Sequence, residues 1–386
     1  MTRVPAGRAG AMGLIPIDGG SRIGRLQETL EVSALLVTDL VNIRYLTGFT
    51  GSNATLFVPK TGSGVFFTDS RYGERAADEL RSHGAVLDLR VLRTAKAQTA
   101  AILALAKRAT PAPARAKRAK PAPALGLEST NVSWAAAEAW RSAGVEIVAV
   151  AGAVEQLRRC KDEGEIDRLT RASAIADDAL ATVLSVLRQR PSEQEFAKTL
   201  EDEMQRRGSE APSFATIIAS GPNASRPHHD TGHRIITKGD QVIIDFGATI
   251  DGYHSDMTRT VHVGQPSRAH RRHFRVVRDA QAAGVAAVRA GVAIKRVDEA
   301  CRSVIAEAGW ADNFCHGTGH GIGLVIHESP WIGPRVKGRL AVGDVVTVEP
   351  GVYLAGEGGV RVEDSVVVTP TGCRPITLAP KHLVVE

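Results

Sequence analysis

Cysteine is scarce and scattered. The 386 residues hold four, at positions 160, 301, 315 and 373, and no two form a CxxC pair. That spacing excludes a disulfide framework and makes a reducing, cytoplasmic setting the simplest expectation. Long apolar runs are missing as well. The opening "MTRVPAGRAGAMGLIPIDGG" has no stretch long enough for a signal peptide. No window approaches the roughly eighteen apolar residues of a membrane span, so no membrane partner is expected. A charge surplus of one sign is nearly absent. The net charge of +6 comes from 48 basic and 42 acidic residues. Lys107, Arg108, Arg115, Lys117, Arg118 and Lys120 share one acid-free segment, and without them the signs balance. The basic character thus belongs to one segment, and a nucleic-acid-binding face spread over the fold is not expected.

Several catalytic signatures are absent too. No GxSxG supports a serine nucleophile, and no P-loop occurs. The glycines of "GTGHGIG" fail GxGxxG, because Ile322 and Leu324 stand where a third glycine belongs. "DFG" at Asp245, Phe246 and Gly247 matches a kinase signature but lacks an HRD-type loop upstream.

The length favours two domains, and 43% hydrophobic with 23% charged residues is a globular composition. Between residues 23 and 150 short apolar strands alternate with amphipathic helices, the pattern of an α/β domain. "KRATPAPARAKRAKPAPA", residues 107–124, interrupts it as a low-complexity solvated insert, with a docking patch for an acidic partner as the alternative. A composition shift at 151–161 marks the boundary, giving domains over 1–155 and 160–386. The second domain reads as α+β, with helices over 162–189, 192–208, 271–290 and 297–308 and strands over 214–219, 241–246 and 253–263. No repeat of 20–50 residues is visible in the sequence. Trp134, Trp140 and Trp310 read as core or interface residues.

"VIIDFGATIDGYHSDMTRT" carries the chemistry. Asp245 follows a β-branched run, and Asp256 lies eleven residues on, past the hairpin signal of Asp251 and Gly252. Direct pairing of the two acids places the turn at Ile250 and Asp251; a bulge would leave them diagonal neighbours. "VVTVEPGVYLAGEGGVRVEDSVVV" repeats the arrangement, with Glu349 and Glu363 paired about Gly356. Opposed carboxylates stay ionised only with positive charge between them. Four such acids suit one or two divalent cations. "HGTGHGIGLVIHESP" adds His316, His320 and His327 as candidate nitrogen ligands. An exposed edge guarded by charge is the competing reading of either hairpin alone.

On these segments the chain resembles the pita-bread metallopeptidases: methionine aminopeptidase, aminopeptidase P, prolidase and their non-peptidase relative creatinase. The likeness spans all but the first twenty or so residues and the basic insert. It implies an α/β N-terminal domain followed by an α+β pita-bread catalytic domain. It implies two divalent ions (Mn²⁺, Co²⁺ or Zn²⁺) held by Asp245, Asp256, His320, Glu349 and Glu363, with Asp256 and Glu363 bridging. "SGPNASRPHHD" with His228, "GLVIHE" with His327 and "GGVRVEDS" with Arg361 resemble the proline-specific branch, as does "DLVNIRYLTGFTGSNATLF".

The resemblance further implies hydrolysis of the bond before a substrate's proline. Glu349 is the expected general base, His228 the group at the scissile carbonyl and His327 an orienting group. Arg361 is expected to hold either a prolyl carboxylate or a neighbouring acid, and Tyr353 either to line the pocket or to pack. Asp39 and Arg44 are candidates to reach the substrate from the N-terminal domain. His229 is expected to face solvent beside His228, and His316 to be structural. Xaa-Pro dipeptides come ahead of longer peptides, and a homodimer is expected. A metal-free creatinase-like hydrolase or a binding module is the remaining alternative.

Overall fold

The computed structural model describes residues 13–109, 124–382 and 384–385. The basic segment expected at 107–124 therefore lies outside the described residues, except for its ends. The chain divides into two units. One comprises Asp18–Cys160 with His327–Pro330, the other residues up to Ile17 with Lys161–Ile326 and Trp331–Glu386. No described helix is long and apolar enough to cross a membrane.

The N-terminal unit bears out the α/β reading. Its six strands run in the order Asp88–Val91, Val65–Thr68, Ala54–Pro59, Ala34–Val37, Leu125–Glu128, Ile147–Val150. The sheet is mixed, since Ala34–Val37 pairs antiparallel with Ala54–Pro59 and parallel with Leu125–Glu128. Leu36, Phe57, Phe67, Ile102 and Leu127 pack into its core. Trp140 packs against this core, whereas Trp134, at the start of the same helix Trp134–Ser142, is 75% exposed. At the first position of a helix with no buried residue, its ring meets the Arg141 guanidinium, 5.4 Å from the ring centroid.

The C-terminal unit uses one plan twice. Helices Glu163–Val183 and Glu193–Arg206 lead into Ile217–Ser220 and then the hairpin of Gln241–Phe246 and Met257–Val263. Helices Arg268–Ala287 and Ile294–Glu307 lead into Gly319–Gly321 and then the hairpin of Val345–Val348 and Asp364–Val368. The repeat escapes the sequence because only the order of elements recurs. Helix starts follow their capping residues. Asp162 with Glu165, and Ser192 with Glu195, form capping boxes that satisfy the first backbone N–H groups. The third helix begins at Arg268, three residues before the expected start, because Ser267 caps it.

Strand alternation separates an oily face from a polar one. Val242, Ile244 and Phe246 pack with Leu180, Phe196 and Leu200, so Ile243 and Asp245 point the other way. Met257 and Val261 join the same core, which turns Thr258 and Thr260 to the polar face. In the second hairpin Val346, Val348, Val366 and Val368 pack on Phe274, Val277 and Val297, leaving Thr347 and Ser365 opposite.

The first hairpin's register differs from direct acid pairing. Asp245 pairs with Thr258, and Tyr253 pairs with Ile250, so the turn sits at Asp251 and Gly252. Both have positive φ, 45° and 68°, as a type I′ turn requires. β-Branched Ile250 resists such a conformation, and this moves the turn one residue on. Asp256 becomes the diagonal neighbour of Asp245.

Gly319 is a tight point beside the second hairpin. A Cβ there would lie 2.1 Å from the Thr347 carbonyl oxygen. Gly319→Ala should therefore push the two strands apart and destabilise the protein by about 1–3 kcal/mol. A lowered urea midpoint at unchanged slope checks this.

Candidate metal centre

Three of the four acids sit where the ladders stop. Asp256 immediately precedes Met257–Val263, Glu349 follows Val345–Val348, and Glu363 immediately precedes Asp364–Val368. Released from sheet pairing there, the backbone can aim these carboxylates inward. Glu349 and Glu363 keep the register expected of them, since Val348 pairs with Asp364 and Gly351 with Arg361. Cross-sheet bonds clamp the hairpins together. Glu363 N–H donates to the Thr258 carbonyl (3.1 Å), Thr260 Oγ1 to the Arg361 carbonyl (2.7 Å) and Ser365 Oγ to the Asp256 carbonyl (2.9 Å).

Carboxylate oxygens of Asp245, Asp256 and Glu363 lie within 4.8 Å of one another. His320 Nε2 stands 3.5 Å from Asp256 and 3.3 Å from Glu349, which joins the remaining two groups to the three. Asp256, Glu363 and His320 are buried. Thr258 donates to one Glu363 oxygen (2.8 Å) and Arg361 Nη2 to one Asp245 oxygen (2.6 Å). Asp245 Oδ1 and Glu363 Oε1 are buried with no hydrogen-bond partner among the described residues.

Burial drives the Asp256 carboxyl well above its ordinary value, reinforced by the charges of Glu363 and Asp245. Burial and the charges of Glu349 and Asp245 do the same to Glu363. Burial also pushes Glu349 upward, but the bond from His320 and the His320 charge outweigh it and hold Glu349 at about 2. Burial opposes charging of His320, yet Glu349 wins and raises it. The His320 ring is oriented from behind. Its Nδ1 lies 3.1 Å from the Gly321 carbonyl and can donate there, so Nε2 faces the acids.

Such a donor set fits a divalent cation. A bare imidazole nitrogen aimed at carboxylate oxygens repels them unless a proton or a cation lies between. The two orphaned oxygens demand the same neutralisation, and carboxylates with one imidazole suit hard or borderline metals.

The surrounding groups are placed as follows. Arg361 uses all three nitrogens within the chain. Nε donates to Thr258 Oγ1 (3.0 Å), Nη1 to Tyr353 Oη (2.8 Å) and the Pro227 carbonyl (3.3 Å), and Nη2 to Asp245. Of its two expected uses, the geometry favours the acid partner. Tyr353 Oη also meets His316 Nε2 at 2.9 Å, and burial pushes its hydroxyl up to about 12 against the pull of Arg361. His228 is exposed, and burial lowers His316, with the Arg361 charge acting in the same sense against the pull of Glu349. His229 does not face solvent. It is buried, with Nε2 2.8 Å from Glu193, because a fully buried carboxylate needs every donor in reach. Asp39 caps the helix Leu40–Thr47, Arg44 lies in its last turn, and His327 belongs to the N-terminal unit. Thr258 and Thr347 went unnoticed in the sequence. Their signal was alternation with buried Met257 and Val348 beside an acid.

Residues 21–160 match the creatinase/prolidase N-terminal domain, and residues 167–370 match metallopeptidase family M24. The chain belongs to metallopeptidase family M24, whose members bind divalent metal. An uncharacterized peptidase, YqhT, of Bacillus subtilis is 38% identical over 358 residues, 92% of this chain and 96% of its own. An Xaa-Pro dipeptidase from Bacillus anthracis has a similar structure, with a TM-score of 0.87 and 34% identity over 94% of this chain and 99% of that one. An X-Pro aminopeptidase from Thermotoga maritima gives 0.83 and 31%, covering 94% of this chain and all (100%) of that one.

The raised carboxyls fix the pH response of the metal-free protein. The folded state holds protons on Asp256 and Glu363 that the unfolded chain releases near 3.8 and 4.5. Stability from these groups is therefore full below those values and falls as pH rises through the folded ones. The metal-free protein should melt at a lower temperature at pH 8 than at pH 5. Asp256→Asn should flatten that slope and raise Tm at pH 8, measured by calorimetry in EDTA.

Proposed function

We propose that this chain is a dinuclear Xaa-Pro peptidase, acting on Xaa-Pro dipeptides ahead of longer peptides. The buried cluster of Asp245, Asp256 and Glu363, inside the span matched to family M24, carries this reading. The likeness to an Xaa-Pro dipeptidase over 94% of the chain supports the substrate class. The reading includes an N-terminal domain over 1–155, a catalytic domain over 160–386, a homodimer and a cytoplasmic setting.

Asp245, Asp256, His320, Glu349 and Glu363 would hold two ions, of Mn²⁺, Co²⁺ or Zn²⁺. Bound there, the ions supply Lewis acidity that polarises the scissile carbonyl and makes water a nucleophile near neutral pH. The protein's own groups do the rest. An Xaa-Pro bond is a tertiary amide without an N–H, so recognition falls to its carbonyl and to the residue's ends. Glu349 is ionised across the neutral range and can accept a proton on one carboxylate oxygen, then pass it to the prolyl nitrogen. His228 donates to the carbonyl oxygen as charge develops there, and His327 orients the substrate. Arg361 holds Asp245 in place, and Tyr353 holds Arg361. Asp39 and Arg44 bind the substrate's free end from the N-terminal domain.

EDTA should abolish hydrolysis of an Xaa-Pro dipeptide, and Mn²⁺ or Co²⁺ should restore it. Efficient release of the first residue from Xaa-Pro-Yaa-Zaa peptides, with dipeptides left uncut, would reassign the chain to the aminopeptidase reading. A chain that binds no metal and cuts neither substrate would end both. His228→Ala should lower kcat by about 10²–10³-fold with metal content unchanged, read by steady-state kinetics and metal analysis.

A further inference from the structure

The segment His327–Pro330 belongs to the N-terminal unit although the chain on either side of it does not. Glu328 supplies a reason. Its carboxylate pairs with Arg158 Nη2, and the two side chains are only 9% and 5% exposed. Losing one partner of a buried ion pair strands the other charge, so the pair is costly to break. Although Arg158 Nε has no partner among the described residues, both of its terminal nitrogens are engaged. Arg158 Nη1 donates to Asn42 Oδ1 at 2.9 Å. Asn42 is fully buried, and its Nδ2 donates to Glu128 Oε1 (2.8 Å) and Glu155 Oε1 (2.9 Å). Glu128 Oε2 in turn accepts the backbone N–H groups of Thr38 (2.6 Å) and Asp39 (2.8 Å). The chain of bonds thus runs from Glu328 to the backbone at the start of the helix Leu40–Thr47. Arg158 is the cation at its centre.

We propose that Arg158 is a positioning residue for His327. By fixing Glu328 it fixes the peptide that carries the histidine. The inference rests on the role given to His327 above. Adjacent Cα atoms lie about 3.8 Å apart, so a displaced Glu328 carries His327 with it. Lysine cannot replace the arginine, because two separate nitrogens at a fixed angle serve Asn42 and Glu328, and an ammonium is a single point of charge.

The test uses the full-length, metal-loaded enzyme and an Xaa-Pro dipeptide. Arg158→Lys and Glu328→Gln, the latter nearly isosteric and the safer to fold, should each lower kcat by about 10–100-fold with KM little changed. Amide exchange across residues 327–330 should quicken in both. In a His327→Ala background either change should have no further effect on kcat, since the group being positioned is gone. If His327→Ala leaves turnover intact, the role of His327 fails and the proposal falls with it. If His327→Ala cripples turnover while the other two leave kcat unchanged, or lower it additively, the role of His327 stands and the positioning is overturned.

Discussion

Repulsion among buried carboxylates is the constraint on which the C-terminal unit depends. Asp245, Asp256 and Glu363 crowd within 4.8 Å, with Glu349 joined through His320. Water cannot dilute that charge, and the fold does not cancel it. Thr258 and Arg361 each engage one oxygen of an acid and leave the other bare. Partial satisfaction is the functional state of such a cluster. A fully bonded set of acids would have no lone pairs left for a cation, and a wholly unbonded set could not hold its shape in the metal-free protein.

Two hairpins, each backed by a helix pair, are the economical way to build it. The helices cover the oily face of each hairpin with Phe196 and Leu200 on one side and Phe274 and Val297 on the other. What remains is a seam between polar faces, where threonines alternate with acids. Register does the positioning, because strand periodicity leaves no freedom to choose which residues face the seam. The ladder breaks at Asp256, Glu349 and Glu363 add the reach that a regular strand lacks.

Both hairpins, their four acids and the α/β-then-α+β order could be read from residue pattern and spacing, whereas the choice of His320 among three histidines came from the family resemblance. The carboxylates were legible because an acid at the end of a β-branched run has few innocent explanations. Register was legible to within one turn residue, and the error at Ile250 came from pairing acid with acid before asking which residues tolerate positive φ. His229 was misread because its partner, Glu193, lies far away in sequence at the start of the helix Glu193–Arg206, where it looks like an ordinary helix-start acid. Nothing local marks a carboxylate that will accept from Ser220, Asn223 and His229 at once. Of the core and interface readings of Trp134, its 75% exposure removes only the first. Composition says a tryptophan packs, but only the tertiary surroundings decide whether there is anything to pack against.

Groups carried on strands and groups carried on irregular chain are secured differently. The metal-site acids inherit their places from ladders and cross-sheet bonds. His228 has no such ladder beside it, His327 directly precedes the short strand Glu328–Ile332, and each neighbours a residue tied to a buried charge. His229, beside His228, is held by Glu193, which also gathers the backbone and hydroxyl of Ser220 and the Gly232 N–H. Glu328, beside His327, is held by Arg158. A buried charge with several directional partners is costly to displace, because moving it strands every partner together. For His228, on irregular chain, that cost stands in for a hydrogen-bonded sheet; for His327 it adds to the strand that begins at Glu328. The two hubs differ in origin: Glu193 belongs to the C-terminal unit and Arg158 to the N-terminal one.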